Sequence, residues 1–272
     1  MVVYEKFSDY LWIPLILIFL FPIIMYSGSH YTVDDSQVIQ GPLVVGREAL
    51  DSLISLNEGK PIIVNFWAVW CTPCVGELPH IDEVYRSMEG DIAAIAVDLG
   101  DPELETLLNF REGFKLSMPV VWLNESDAAL LKDEWHLSNV LPITVVFDSE
   151  GTEITRAAGV RDESFFRNAV SGSLMPDTSD EHHDEELELH INVVGFSADT
   201  LTDILMDRAV ELAGEEGVDF YDPSIPSDSL EIEAMHLPNS AYPYAQPCIG
   251  AACGRPAGTP DELQQVVENL SN

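Results

Sequence analysis

The sequence predicts an α/β domain with a central mixed sheet, preceded by an N-terminal apolar segment and followed by a small second α/β unit. Three observations predict this. Apolar runs rich in β-formers alternate with helical patterns over residues 42–173, this series closes on an antiparallel hairpin, and an acidic stretch then precedes a further strand and helices. At 272 residues the chain exceeds one typical domain, which agrees with two units.

Residues 1–30 are predicted to form a membrane anchor. The run 10–26 carries no charge and, at about 1.5 Å per helical residue, nearly covers the hydrocarbon thickness of a bilayer. A cleaved signal peptide is the alternative, because small residues follow at 27–29, but the run is long for a signal core and no A-x-A-like site follows. Lys6 is the only basic residue near either end of the run, which favours an N-terminus on the cytoplasmic side of the membrane. We therefore expect a single-pass transmembrane helix in the inner (cytoplasmic) membrane, a tether at 31–41 and the bulk of the chain on the extracytoplasmic, periplasmic side.

The elements of the first domain follow from periodicity. The continuous apolar run 62–67 is typical of a strand buried on both faces. From 73 to 88 apolar residues recur every three or four positions, which predicts a helix that Pro79 should kink. The same reasoning predicts strands at 43–45, 92–97, 119–123, 143–147 and 153–158, and helices at 48–56, 102–114, 127–135 and 162–170.

The second unit is predicted over residues 190–272, after an acidic linker at 174–189. A strand at 190–196 and helices at 200–213 and 260–270 are expected, with a Pro-rich stretch between them. His182, His183 and His190 lie among carboxylates and could bind a transition metal, but a flexible acidic tether explains this composition without one.

The charge and the cysteines limit the function classes. Twelve Lys and Arg against 47 Asp and Glu give a net charge of -35, which would repel a phosphate backbone, so nucleic acid is not an expected partner. The four cysteines form two close pairs, Cys71/Cys74 and Cys248/Cys253, which fit an oxidising compartment. Neither pair has the partner ligands of a zinc ribbon, and no metal or cofactor is expected.

Cys71 and Cys74 are the predicted redox centre. Two cysteines separated by two residues at a helix N-terminus can close a short disulfide, and the helix dipole favours the thiolate of the first. Cys71 is therefore the expected attacking sulfur and Cys74 the resolving one. A structural disulfide or half of a metal site is disfavoured, because the motif follows a buried strand and opens a helix in an α/β pattern.

Two segments carry a family resemblance. Residues 62–79 read IIVNFWAVWCTPCVGELP, and the segment 139–144, NVLPIT, is followed by DSEG at 148–151. They resemble the active-site region and the cis-proline hairpin of the TlpA/ResA-like membrane-anchored thioredoxins, over about residues 43–172. The resemblance implies a thioredoxin fold and a thiol:disulfide oxidoreductase acting on protein thiols and disulfides.

The resemblance also implies roles for Pro142 and Glu77. Pro142 is expected to be cis and to face the disulfide, so that the backbone of Leu141 can pair with an extended substrate; a trans loop proline is the alternative. Asn65 stands where cytoplasmic thioredoxins have a buried aspartate. Glu77, one turn after Cys74, is the predicted general base, and a solvated surface carboxylate is its alternative.

The direction of catalysis is predicted from Thr72-Pro73, the pair between the cysteines. The strongly oxidising relatives have a histidine there that stabilises the reduced thiolate, and proline supplies no such donor. A disulfide reductase fed by a membrane thiol carrier is expected, acting on apocytochromes in cytochrome c biogenesis or on other secreted proteins. Trp67 and Trp70 are expected to shield the disulfide. The rival hypothesis is a scaffold protein whose C-terminal unit recruits a partner.

Cys248 and Cys253 admit two interpretations. A disulfide that staples a small domain with a thin core is favoured. A second redox pair that exchanges electrons with Cys71 and Cys74 is the alternative.

Overall fold

The computed structural model describes residues 40–88, 90–172, 188–234 and 242–270. The predicted anchor, nearly all of the tether, and residues 174–187 of the predicted linker lie outside these ranges. No helix within them is long and apolar enough to cross a membrane. Residues Val38–Asn272 belong to one compact unit, which contains two sheets.

The first sheet has six strands in the order β1-β4-β3-β2-β5-β6. Only β5 runs antiparallel to β2, and the other four strands run parallel to β2. Its strands are β1 (Leu43–Val45), β2 (Ile62–Trp67), β3 (Ala93–Asp98), β4 (Val120–Trp122), β5 (Ile143–Phe147) and β6 (Glu153–Ala158). Its helices are α1 (Arg47–Leu56), α2 (Thr72–Ser87), α3 (Leu104–Gly113), α4 (Glu125–Glu134) and α5 (Glu163–Val170). The predicted mixed sheet flanked by helices is confirmed.

The centre of this sheet sets the position of the cysteine motif. Every residue of β2 is buried, because β2 pairs with β3 on one side and with β5 on the other. The chain leaves β2 at its carboxyl end and enters α2 at once, and α2 packs against α5. Pro79 lies inside α2, which continues to Ser87. The first turn of α2 therefore lies at the carboxyl end of the central strand β2.

The second sheet has four strands in the order β10-β9-β7-β8. Its elements are β7 (Leu189–Val194), α6 (Thr200–Ala213), β8 (Val218–Tyr221), α7 (Pro226–Ala234), β9 (Tyr244–Ile249), β10 (Ala252–Cys253) and α8 (Pro260–Leu270). A small separate core, which includes Ile191, Val193, Leu205 and Leu263, lies between this sheet and helices α6 and α8. The sequence predicted β7, α6 and α8 but missed β8, α7, β9 and β10.

The second sheet repeats the topology of the inner half of the first. In each case a strand, a helix and a parallel strand are followed later by an antiparallel hairpin and a last helix, with the strand order β3-β2-β5-β6 matched by β8-β7-β9-β10. The peptide bond before each hairpin is cis, at Leu141–Pro142 and at Tyr242–Pro243. Within the described residues the second sheet therefore repeats the central topology of the first, although the sequence shows no repeat at a fixed period.

Candidate redox site

Cys71 and Cys74 form a disulfide at the N-terminus of α2, with an S–S distance of 1.99 Å. Cys71 is the N-cap residue, and its Sγ accepts a hydrogen bond from the backbone N–H of Cys74 at 3.3 Å. Pro73 occupies the first turn, where a missing N–H costs the helix nothing. Free backbone N–H groups and the helix dipole at this end favour negative charge, so a reduced Cys71 is stabilised as the thiolate.

The two tryptophans near the motif differ in burial and in contacts. Trp67 ends β2 and is fully buried. The indole of Trp70 is half-buried and donates a hydrogen bond from Nε1 to the carbonyl oxygen of Gly100 at 3.1 Å. A Cβ at position 100 would lie 2.8 Å from the Trp70 ring, so only glycine allows this packing. No polar group of either ring bonds to a cysteine sulfur in the described contacts, and their shielding of the disulfide stays a prediction.

Asp98 and Asp101 are buried acids that the sequence analysis did not single out. Oδ2 of Asp101 accepts the backbone N–H of Val69 at 2.6 Å, two residues before Cys71. Oδ1 of Asp98 accepts the N–H groups of Gly100 and Asp101, both at 3.1 Å. Burial raises the pKa of both carboxyls, and the charge of Asp101 raises that of Asp98 further. Through these hydrogen bonds the pair holds the turn that leads into the cysteine motif.

Glu77 is fully buried rather than solvated. Its Oε2 accepts from Nδ2 of Asn65 at 2.7 Å, and its Oε1 accepts from the backbone N–H of Arg161 at 2.7 Å. Asn65 in turn bonds to Oγ1 of Thr144 at 2.9 Å. Burial raises the pKa of Glu77 to about 7, although these hydrogen bonds lower it. A carboxyl that titrates near neutral pH can both take up and release a proton.

Glu77 is expected to make the stability of the fold depend on pH. Its folded pKa lies above the ordinary value of 4.5, so its contribution is fully present below about pH 4.5 and is lost as the pH rises to about 7. The loss amounts to about 3 kcal/mol for a shift of this size. We expect the difference in unfolding free energy between the wild type and Glu77→Gln to change by this amount between pH 4.5 and 7.5, as measured by urea denaturation.

A matched variant on the same helix controls for this prediction. Glu83→Gln removes a half-exposed carboxylate that pairs with Arg86 at 2.6 Å. Its difference from the wild type should stay nearly constant over the same pH range. Parallel pH curves for Glu77→Gln and the wild type would contradict the raised pKa.

The Leu141–Pro142 peptide bond is cis, and Leu141 is buried two residues before β5, at the start of that strand. Its backbone is already paired: Leu141 N–H donates to the carbonyl oxygen of Cys253 at 3.0 Å, and Cys253 N–H donates to the carbonyl oxygen of Leu141 at 2.9 Å. This two-bond antiparallel bridge joins the two sheets. The edge predicted to receive a substrate strand therefore holds a strand of the second unit.

Cys248 and Cys253 lie opposite each other on β9 and β10 and form the second disulfide, with an S–S distance of 2.09 Å. All four cysteines are buried, at no more than 7% exposure. His190, the neighbour of Cys248 across β7 and β9, has Nε2 3.0 Å from Oδ2 of Asp219. Within the described ranges, no group of three or more His, Cys, Asp and Glu residues is arranged to hold a metal ion.

Known proteins resemble this chain over part of its length. Residues 49–178 match the model of the AhpC/TSA family. The thiol-disulfide oxidoreductase ResA of Geobacillus kaustophilus is 34% identical over 101 residues, which cover 36% of this chain and 54% of ResA. ResA of Bacillus subtilis is 29% identical over 115 residues, covering 42% of this chain and 62% of that protein. The first domain is a TlpA/ResA-like member of the thioredoxin family.

The match to these relatives is partial. The chain spans only about half to two thirds of the length of these ResA proteins. Among solved structures, StoA from Bacillus subtilis is 22% identical with a TM-score of 0.37, covering 42% of this chain and 84% of StoA.

The second copy of the fold has no cysteine motif. The N-cap of α6, which corresponds to Cys71 at the start of α2, is Asp199. Its carboxylate accepts the backbone N–H of Thr202 at 3.2 Å, as Cys71 Sγ accepts that of Cys74. In this repeated topology Asp199 and Thr202 stand at the positions of the two cysteines, and the only cysteines of the second unit are Cys248 and Cys253.

Proposed function

We propose that this protein is an extracytoplasmic thiol:disulfide oxidoreductase that reduces disulfides in secreted or membrane proteins. The observation that carries the proposal is the Cys71–Cys74 disulfide at the N-terminus of α2, in a domain with the cis Leu141–Pro142 bond and a proline between the cysteines. Helix-terminal placement activates Cys71, and the backbone of Leu141 would pair with an extended substrate once its two hydrogen bonds to Cys253 open.

The proposed reaction proceeds in two exchange steps. The Cys71 thiolate attacks one sulfur of the substrate disulfide, forms a mixed disulfide and releases the other substrate sulfur as a thiolate. Cys74 then gives up its proton and attacks Cys71 Sγ, which releases the second substrate thiol and closes the Cys71–Cys74 disulfide. Glu77 is the proposed proton acceptor for Cys74, because its pKa of about 7 matches a neutral working pH. A membrane dithiol carrier would then reduce the disulfide again.

The reducing direction rests on Thr72 and Pro73. Neither supplies the cationic donor that stabilises the reduced state of strong oxidants. We expect the Cys71/Cys74 couple to have a potential near the roughly -270 mV of thioredoxin rather than the about -120 mV of the strong periplasmic oxidant. Equilibration in a dithiothreitol or glutathione series, with alkylation and peptide mapping of this pair, measures it. A potential above about -180 mV would overturn the reductase assignment.

Substrate and location are part of the same proposal. Single-pass anchoring in the cytoplasmic membrane through residues 10–26 would hold the redox domain on the extracytoplasmic side. The substrate classes are apocytochromes before haem attachment, as in cytochrome c maturation, and other secreted proteins with non-native disulfides. In the described arrangement Cys71 has no exposed surface, so such a substrate reaches it only when the β9–β10 hairpin leaves Leu141.

A further inference from the structure

We propose that the Cys248–Cys253 disulfide is an internal substrate of Cys71, so that the two cysteine pairs exchange electrons within one chain. The proposal rests on the thiol-disulfide exchange proposed above for Cys71. The Cys248/Cys253 pair thereby gains a redox role, and the second unit becomes the part of the chain that presents this disulfide to Cys71.

The first supporting observation is the pairing of Cys253. The family resemblance implies that an extended substrate pairs with the backbone of the residue before the cis-proline, which is a case of strand addition. Here that residue is Leu141, and its N–H and carbonyl groups both bond to Cys253, at 3.0 and 2.9 Å. The residue seated at the substrate edge is therefore itself half of a disulfide.

The second observation is the face that β9 turns to the first domain. Residues 244, 246 and 248 share one face of this strand, while Ala245 on the opposite face packs into the second core. Gln246 is 1% exposed and donates from Nε2 to the carbonyl oxygen of Trp70 at 3.3 Å, one residue before Cys71. Cys248 lies two residues along the same face, and Cys253 lies opposite it on β10. The second disulfide thus lies on the face that contacts the Cys71 segment.

The third observation concerns the surroundings of the two pairs. Trp70 and Leu141 line one cavity together with Arg255 and Pro256, which follow Cys253 closely in sequence. Gly254 also joins this junction, since its carbonyl oxygen accepts from the same Gln246 amide at 3.4 Å. Both disulfides are buried from solvent at this junction. A staple for the small domain requires none of these contacts with the first domain.

The exchange is balanced without any further reactant. When Cys71 and Cys74 are reduced, the Cys71 thiolate attacks Cys253 Sγ, the Cys248–Cys253 bond breaks, and the Cys248 sulfur leaves as a thiolate that takes up a proton. Cys74 then loses a proton and attacks Cys71 Sγ, which releases Cys253 as a thiol. Two electrons pass from the first pair to the second. Cys253 is the electrophile because it is the residue paired with Leu141.

Two matched double variants test the choice of sulfur. Cys74→Ala/Cys248→Ser leaves only Cys71 and Cys253, and Cys74→Ala/Cys253→Ser leaves only Cys71 and Cys248. Treated with diamide in the full chain, the first should form an intramolecular disulfide at least about tenfold faster than the second, as read by peptide mapping of the monomer. Equal rates, or no intramolecular link in the first variant, would overturn the proposal.

The wild type supplies a second measurement that needs no variant. Protein holding one disulfide is prepared with limiting dithiothreitol, and its two positional forms are separated at acid pH, where thiolates are scarce. Returned to neutral pH, both forms should relax to the same ratio of Cys71–Cys74 to Cys248–Cys253. If each form keeps the disulfide with which it was isolated, the Cys248–Cys253 disulfide has a structural role only. If the two forms do not interconvert but Cys71 still reduces insulin, the exchange between the two cysteine pairs is wrong and the proposed function stands. If insulin is not reduced either, the proposed function is also wrong.

Discussion

Replacing Cys71 with serine is expected to bring the reduction of insulin disulfides down to the uncatalysed background, a loss of about a thousandfold or more, because the thiolate is the nucleophile. The measurement is insulin turbidity with dithiothreitol as electron donor. Cys71 has no exposed surface and is the N-cap of α2, so folding of the variant should be checked by circular dichroism.

Ser87→Ala at the other end of α2 is the matched control. Ser87 bonds only to the carbonyl oxygen of Val84 and to Arg167 in the described contacts, so its removal should leave turnover within about twofold. If the wild type reduces insulin no faster than Cys71→Ser, the assignment as an enzyme is wrong. That result would favour a scaffold protein whose thioredoxin domain only binds a partner.

Removing the resolving thiol should have an equally large effect on the lifetime of the mixed disulfide. In a Cys74→Ala variant that also carries Cys248→Ser and Cys253→Ser, Cys71 is the only thiol, and no internal sulfur can release a bound partner. We expect adducts at Cys71 to rise from trace amounts to a major fraction of the protein isolated from the native host. Mass spectrometry of these adducts identifies the partners.

The identity of the adducts decides between substrate classes. Apocytochromes or their maturation factors would support the cytochrome branch, and a broad set of secreted proteins would support general repair. The same variant with Cys71→Ser is the control and should carry no adducts. Recovery of cytoplasmic proteins alone would contradict the extracytoplasmic location.

Periodicity predicted the part of the fold that carries the redox site. The apolar run at 62–67 is long enough to identify a strand buried on both faces, and all six residues of β2 are buried. The spacing that predicted a helix over 73–88 corresponds to α2, Thr72–Ser87. Local signals suffice here because burial on both faces and amphipathic packing both leave regular patterns in sequence.

The second unit was predicted less completely, for identifiable reasons. β9 contains Pro247, which cannot donate to the sheet and so weakens a strand pattern, and β10 has only two residues. The repeat of the fold was hidden because Asp199 and Thr202 replace the cysteines that mark the first copy. A cis peptide at Tyr242–Pro243 is the shared feature that becomes visible only in three dimensions.

Long-range contacts are the part of the site that no local pattern supplies. Of the two buried acids, Asp98 is the last residue of β3 and Asp101 comes three residues later. The bond from Val69 to Asp101 depends on β2 and β3 being neighbours. Acidic residues just after a buried strand were a usable signal for them. The bridge between Leu141 and Cys253 spans more than a hundred residues and depends on how two folded units pack, which periodicity does not encode.

The central claim is that Cys71 and Cys74 pass two electrons to a substrate disulfide. A single-turnover experiment on the fully reduced Cys248→Ser/Cys253→Ser variant tests it most directly, because that chain contains no other thiols. After mixing with one equivalent of a disulfide-bonded peptide, acid quenching and alkylation, we expect the reduced peptide and the Cys71–Cys74 disulfide to appear together in equal amounts. A peptide that stays oxidised while folded protein keeps both thiols would contradict the account.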